Sequence, residues 1–466
     1  MAENGRGEVG PWLRGWQARG DAAALVDGAS GEVWSYRKLS EVVESRAKLG
    51  ALAGVKAGER VLVTGAGGPG WVASLFAVAA LRAVAAPAMG RSEAREAELA
   101  EAAGARWRLD GGGGLMQTEV AIETVRQRGA VAALAELRRR GHAGLVLFTS
   151  GTTGRPKGVV HDFEAHLEGW RSRAREGAPV HRVLVLPRPD QTAGMDVIGR
   201  GLAGGAVLVL PAVREPEAVA ALLVRERVDV LPATASFLHL LLQSAAGPGL
   251  AASSLRLVPY GAEPMPAARL ARLRAAWPKV TFVPRFGTTE TGAVRVEAAG
   301  PDGAGMVPVD ADVAWRIADG ELQVKSPRQL LGYLDPADGR EVLTADGWYR
   351  TGDLAEPVDG GGFRLLGRRV AQINVGGRKV RPEAVEAVLV GHPEVVAAKV
   401  EGAPHALLGE QVVATVEARP GAPAAAPLRA SLRAWLAARL EAHEVPSRWV
   451  FAPVEVEPES GKLRRR

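Results

Sequence analysis

The sequence predicts an α/β protein in two parts: a large, multi-subdomain N-terminal domain with mostly parallel sheets flanked by helices, then a small α+β domain. Three observations carry this. Short apolar runs alternate with amphipathic stretches from residue 24 to residue 283, the pattern of strand–helix repeats around parallel sheets. Beyond Asp310 the texture becomes strand-rich, with turn signals at Ala318-Asp319-Gly320 and Asp359-Gly360-Gly361-Gly362. From Phe363 the pattern resets to strand, helix, two strands, linker and helix. The length of 466 residues is too great for one hydrophobic core. The domain boundary is expected at Gly367-Arg368, giving domains 1–368 and 369–466.

Taken in order, 24–26 and 33–36 read as a strand pair and 36–50 as a helix. A strand at 61–64 and a helix at 71–81 flank Gly65-Ala66-Gly67-Gly68-Pro69-Gly70, which fits G-x-G-x-x-G. A dinucleotide site needs an acidic residue about 20 residues on. That place holds Ala85-Ala86-Pro87-Ala88, which argues for a structural turn. Helices are expected at 93–103, 131–140, 163–176, 216–227, 235–243 and 266–277. Strands are expected at 183–186, 206–210, 228–231, 255–258 and 280–283, with an irregular segment at 187–195. In the C-terminal part, a strand at 363–366, a helix at 382–390, strands at 395–401 and 411–418, a Pro/Ala linker at 420–427 and a helix at 428–442 follow.

Composition is globular, with 47% apolar and 24% charged residues. With no cysteine, disulfides, Cys-ligated zinc and a Cys acyl-enzyme are excluded, so any thioester chemistry uses a thiol from outside. The start, MAENGRGEVG, lacks the order of a secretion signal. The most apolar region, 61–89, is broken by Arg82, Gly and Pro and does not read as a membrane span. A cytoplasmic protein without integral membrane association, monomeric or homodimeric, is the expectation. The net charge of +6 is mild over this length, and Arg464-Arg465-Arg466 is too short a basic run to argue for nucleic acid.

The stretch Leu145 to His161, LVLFTSGTTGRPKGVVH, organises the chain. A short apolar strand leads into Thr149-Ser150-Gly151-Thr152-Thr153-Gly154, and Lys157 follows. Glycines let backbone N–H groups approach a polyanion, hydroxyls add donors and the lysine adds charge. It is not a Walker A loop, because Gly158 stands where the metal-binding hydroxyl belongs. Further on, Arg285-Phe286-Gly287-Thr288-Thr289-Glu290-Thr291-Gly292 follows a strand and offers hydroxyls and one carboxylate, a set that suits magnesium plus phosphate. Tyr260-Gly261-Ala262-Glu263-Pro264 ends a strand, Gly352-Asp353 is a tight turn with a carboxylate, and Ser460-Gly461-Lys462 lies near the C-terminus.

Together these motifs resemble, in order and over essentially the whole chain, those of the acyl-adenylating superfamily, which includes acyl-CoA synthetases, peptide-synthetase adenylation domains and beetle luciferases. The resemblance implies an AMP-forming carboxylate–CoA ligase with ATP, Mg2+ and CoA as cofactors and a small-molecule carboxylic acid as substrate. The mild positive charge would help attract ATP and CoA, both polyanions. By the same resemblance, Thr149 to Gly154 and Lys157 cradle phosphates, and Gly261, Ala262, Glu263, Phe286 and Gly287 flank the adenine. Thr289 touches the α-phosphate, Glu290 holds the metal, and Asp353 and Arg368 bind the ribose. Lys462 is the mobile catalytic lysine, carried on a lid that rotates between two half-reactions. The turn Gly376-Gly377 lets a pantetheine arm pass on the lid's other face.

Two departures bear on this. Gln191 stands where relatives often carry His, and Val370-Ala371 occupy the hinge place that usually carries an acidic residue or Lys. The chain is also short between Leu109 and Gly141. The alternatives are an enzyme that loads a carrier protein's phosphopantetheine, and a nucleotide-binding homologue without ligase activity. Acyl-pocket candidates are His166, Gln191, Gly194 and Met195, with 233–237 and Gly287. Asp190 or Asp196 would pair with an amino group of the acid, or else serve as loop and helix-cap residues.

Overall fold

The computed structural model describes residues 10–455 except 122, 125–130, 151–155, 175–176, 178, 301–304 and 340–341, and only the backbone of Ser150. The described strands form four sheets. In the seven-stranded sheet the central strands Trp107–Asp110, Arg60–Gly65, Val84–Met89 and Gly144–Ser150 run parallel. All six residues of Val84–Met89 are buried. Helices Pro69–Ala80 and Glu93–Ala103 cover this sheet. A strand covered on both faces must be apolar throughout, which is why this region reads as one apolar run.

Helix Pro69–Ala80 starts inside the glycine motif. A Cβ on Gly70 would lie 2.1 Å from the Gly111 carbonyl oxygen, so that glycine allows backbone to pack on backbone, as expected of a structural turn. The four-stranded sheet orders Val33–Ser35, Ala23–Asp27, Val207–Leu210 and Arg182–Leu184. Val230 bridges singly to Val183 and to Leu257. The strand expected at 228–231 is reduced to that bridge, between Arg227 at φ 50 and Pro232, which lacks an N–H.

The eight-stranded sheet begins parallel, Leu257–Tyr260 beside Thr281–Thr288, and is antiparallel from there on. The strand expected at 363–366 is Gly362–Arg368, and it pairs with Tyr349–Val358 of the body, from Val358↔Gly362 to Asp353↔Arg368. The turn at 359–361 folds it back as a hairpin, and Phe363 is fully buried against Phe286 and Trp315.

The small C-terminal unit is a five-stranded sheet built on the long hairpin Val395–His405 and Gly409–Ala418. Helices Pro382–Val390 and Ala425–Ala437 bury Val385, Leu389, Leu432 and Leu436 against it. The second helix starts inside the expected linker, since Pro427 is tolerated in a first turn. Helix Pro11–Gln17 was not anticipated. Trp12 and Trp16, one turn apart, pack on Phe76 at 5.5 and 4.8 Å. Among the described residues, no helix is long and apolar enough to cross a membrane.

Candidate active site

A cleft of about 2000 Å³ opens between the eight-stranded sheet, the helix Thr192–Gly204 and the C-terminal helix Pro382–Val390. Its walls include Phe148, Thr149, the segments Tyr260–Pro266 and Pro284–Glu290, Asp353 and Leu365–Arg368. Arg381, Glu383 and Glu386 reach it from the small domain.

The segment after strand Thr281–Thr288 is held by its own hydroxyls. Thr288 Oγ1 accepts from the backbone N–H groups of Glu290 (3.2 Å) and Thr291 (3.1 Å), and Thr291 Oγ1 accepts from Thr288 N–H at 2.9 Å. The Glu290 carbonyl accepts from Leu330 N–H at 2.7 Å. These bonds present Thr289 and Glu290 to the cleft. Tyr333 donates its hydroxyl to Glu290 Oε1 at 2.9 Å. Burial and the Glu290 charge push both Tyr333 and Tyr349 well above the usual phenol range, so both keep their protons. Gly287 has φ 156, and a Cβ there would lie 2.6 Å from the Gly292 carbonyl oxygen.

Strands Leu257–Tyr260 and Thr281–Thr288 pair in parallel to Tyr260↔Pro284, which sets the Tyr260–Glu263 loop beside Arg285. A Cβ on Gly261 would lie 2.6 Å from the Arg285 carbonyl oxygen. Ala262 sits at φ 67, a left-handed conformation costly for a residue with a Cβ. The Glu263 carboxylate accepts from Ser236 N–H and so ties this loop to the start of helix Ala235–Gln243.

Asp353 and Arg368 face each other across the hairpin of strands Tyr349–Val358 and Gly362–Arg368. Their side chains form an ion pair at 3.0 Å, and Arg368 also donates to the Thr351 carbonyl at 2.8 Å. Burial pushes the Asp353 carboxyl up to about 6; Arg368 opposes this, while Glu383, Glu290 and Glu321 add to it. A folded value above the unfolded one means that Asp353 favours the fold below pH ~3.9 and that this contribution is lost as pH rises through about 6.

The remaining sites expected from the sequence fall as follows. Strands Gly144–Ser150 and Pro156–Asp162 pair in antiparallel register through Thr149↔Lys157 and Ser150↔Pro156. Gly151, Thr152, Thr153 and Gly154 lie outside the described residues, as do the side chain of Ser150 and the whole of Lys462. Lys157 pairs with Asp338 at 3.3 Å. Of the acyl-pocket candidates, Gln191, Ala233, Thr234, Ser236, Phe237 and Gly287 line the cleft.

His166, Gly194 and Met195 do not line it, which corrects that expectation. The helix Thr192–Gly204 starts within the segment read as irregular and turns Met195 into the core, where it is 2% exposed. A Cβ on Gly194 would strike the Arg188 carbonyl. His166 is buried beside His161 and Trp170, with its proton affinity lowered by burial. Asp190 is held by Arg188 at 2.8 Å and Arg91 at 3.2 Å, and Asp196 by Arg200 at 2.7 Å. Gly376 and Gly377, at φ 58 and 87, form the two-residue turn between Val375 and Arg378. That turn type demands positive φ at both positions, so hairpin geometry alone accounts for the pair. The turn is exposed and is not part of the cleft wall.

Sequence reasoning named Thr288 and Thr291 only as part of a hydroxyl-rich loop and gave no role to Tyr333 or Tyr349. The two threonines were legible as a turn with hydroxyls three apart, but the tyrosines come from distant strands and carry no local signal.

Comparison with known proteins fits this geometry. The family model described as AMP-binding enzyme matches residues 13–334, and that described as AMP-binding enzyme C-terminal domain matches 384–462. The chain is 31% identical over 302 residues to 3-[(3aS,4S,7aS)-7a-methyl-1,5-dioxo-octahydro-1H-inden-4-yl]propanoyl:CoA ligase of Mycobacterium tuberculosis, covering 63% of this chain and 60% of that one. It is 29% identical over 335 residues to long-chain-fatty-acid–CoA ligase FadD13 of the same species, covering 68% and 65%. The chain thus spans less than two thirds of the length of these relatives. Among solved structures, the amide bond synthetase McbA from Marinactinospora thermotolerans matches with a TM-score of 0.77 and 26% identity over 96% of both chains. With family models matching its body and its C-terminal unit, the chain belongs to the AMP-binding enzymes of the acyl-adenylating superfamily.

Proposed function

We propose that the chain activates a carboxylic acid with ATP and then passes the acyl group to the thiol of CoA. A carboxylate oxygen attacks the α-phosphorus, the bond to the β-phosphate oxygen breaks, and pyrophosphate leaves. The thiolate then attacks the acyl carbon and AMP leaves. The observation that carries this reading is the convergence of the Tyr260–Glu263 loop, the Phe286–Glu290 loop and the Asp353–Arg368 pair on one cleft of an AMP-binding enzyme.

In this reading the ionised Asp353 accepts both ribose hydroxyls with Arg368 beside it, Gly261 to Glu263 and Phe286 flank the adenine, and Thr289 meets the α-phosphate. Mg2+ fits Glu290. Among the described residues no group of three His, Cys, Asp or Glu would hold a metal unaided, and a single carboxylate is what Mg2+ asks of a protein when phosphates supply its other ligands. Bound there, it would offset phosphate charge. Lys462 serves the first half-reaction, and the Gly376-Gly377 turn serves the second after the lid (369–466) rotates about the Arg369–Ala371 turn, where Val370 is 88% exposed. CoA as acceptor is supported by relatives named CoA ligases. A cytoplasmic enzyme follows from these co-substrates.

A second reading replaces CoA as acceptor: an amine is favoured by the amide bond synthetase match over 96% of both chains, and a carrier-protein thiol by the similarity to pyochelin synthase PchD of Pseudomonas aeruginosa, 29% identical over 346 residues. Mass spectrometry of products formed with CoA, a carrier protein and simple amines in parallel separates the two. The expected result is acyl-CoA. Product on the carrier or the amine with none on CoA would replace the first reading with the second.

The ribose assignment has its own test. Adenosine, which has no phosphate to titrate in this range, is expected to bind more weakly as pH falls through about 6, where Asp353 takes a proton. Asp353→Asn should remove that inflection and weaken binding at pH 8, read by calorimetry. An unchanged pH profile in the variant would place the ribose elsewhere.

A further inference from the structure

The cleft wall just before the Phe286–Glu290 loop carries an arginine that makes no ion pair among the described residues. Arg285 is half-buried and lines the cleft. Among the described residues its guanidinium makes one hydrogen bond, from Nη1 to the adjacent Pro284 carbonyl at 2.9 Å, and no ion pair. Arg200, on helix Thr192–Gly204, lines the same wall. Its hydrogen bonds run from Nε alone, at 2.8 and 2.7 Å to the two oxygens of Asp196. Asp196 lies near enough to act on Arg285 electrostatically but makes no ion pair with it; its Oδ1 also accepts from Trp170 Nε1 at 2.9 Å.

The next shell does not supply the missing anion. Arg173, Arg295 and Arg328 share Asp310 and Asp312, at 2.6 to 3.9 Å. In and behind this wall Arg173, Arg200, Arg285, Arg295 and Arg328 thus gather around three carboxylates, Asp196, Asp310 and Asp312, of which only Asp196 lines the cleft. Burial, Arg200 and Arg295 push the Arg285 proton affinity down from the ordinary arginine value, and Asp196 and Asp310 only partly offset this. An arginine stays charged in a protein, and a desolvated cation is costly until an anion meets it. A monocarboxylic acid spends its one carboxylate at the α-phosphorus and brings nothing for this wall.

We infer that the acid activated here is a dicarboxylate whose second carboxylate is bound by Arg285, with the Nη groups of Arg200 beside it. The inference rests on the adenylation reading above and adds the substrate class to it. The fork of a guanidinium matches a carboxylate in two parallel hydrogen bonds. A site built for such a group rejects the analogue that lacks it, because its own polar atoms are then left unpaired.

Pyrophosphate release by the full-length protein tests this with malonate, succinate and glutarate against butyrate, pentanoate and hexanoate. The expected result is a kcat/KM for at least one dicarboxylate about 100-fold or more above that of its monocarboxylate counterpart. Arg285→Met should abolish the preference while changing the KM for ATP by less than about threefold. Arg285→Lys should restore part of it, which separates lost charge from lost packing. Equal or better use of monocarboxylates by the wild type would overturn the substrate class and leave adenylation standing. So would a rise in the KM for ATP with equal loss on all acids in Arg285→Met, which would give the arginine to the nucleotide's phosphates. Absence of pyrophosphate release with every acid would sink the adenylation reading, and this inference with it.

Discussion

Lys462→Ala is expected to lower acyl-AMP formation by about 10²–10³-fold, the usual loss when one preorganised cation aimed at developing charge is removed. Thioester formation from supplied acyl-AMP should stay within a few-fold of wild type. The two half-reactions need different help. In the first, negative charge builds on the α-phosphoryl oxygens as the carboxylate attacks, and a cation bridging both groups stabilises that state more than the ground state. In the second, the acyl carbon already carries AMP as a good leaving group in a mixed anhydride, and the reacting atoms are the thiolate and that carbon. Separate assays of pyrophosphate release and of CoA consumption from synthetic acyl-AMP read the split. Equal loss in both would show that Lys462 supports the fold or the lid rather than the first chemical step.

Gly287→Ala is expected to reduce acid-dependent pyrophosphate release by about 100-fold, since displacing a positioning loop by about an ångström costs that much. The position combines φ 156 with a Cβ that would lie 2.6 Å from the Gly292 carbonyl oxygen and 3.1 Å from the Ala293 Cα. Both obstacles are backbone of the paired strand, in register Gly287↔Ala293, so neither moves as a side chain would. The hairpin must open, and the Thr288–Thr291 bonds that present Thr289 and Glu290 open with it. Backbone strain of this kind costs about 1–3 kcal/mol, which urea unfolding would read. Gly360→Ala is the control. That turn glycine also has positive φ, 90, but a Cβ there meets nothing within 4 Å, so it carries strain without displacing the site. Retention of activity within threefold in Gly287→Ala would separate this loop from the chemistry.

Much of the fold was legible because strand and helix alternate at different periods, and because covered parallel strands such as Val84–Met89 are apolar throughout. Pairing was not legible. Gly362–Arg368 looks locally like the start of a new unit, yet its partner is the strand before it, and only the burial of Phe363 against Phe286 and Trp315 settles where it belongs. The candidate site shows the same division. The positions of Phe286 to Glu290, Gly261 to Glu263, Asp353 and Arg368 on one cleft followed from motifs with local signatures. The pocket candidates His166 and Met195 are turned into the core on helices Phe163–Ser172 and Thr192–Gly204, and Gly194 packs on the Arg188 carbonyl; none of these directions shows in the spacing of the residues. Tyr333 beside Glu290, and an Arg285 without an ion pair among the described residues, arise from residues brought together by sheet topology and have no trace in spacing.

Acid-dependent exchange of labelled pyrophosphate into ATP tests the central claim most directly, because it reports the reverse of the first half-reaction and needs neither CoA nor a carrier. The account predicts exchange that requires a carboxylic acid, proceeds without any thiol and yields AMP as the cleaved nucleotide once a thiol is added. Cleavage to ADP and phosphate, or no exchange with any acid, would contradict it.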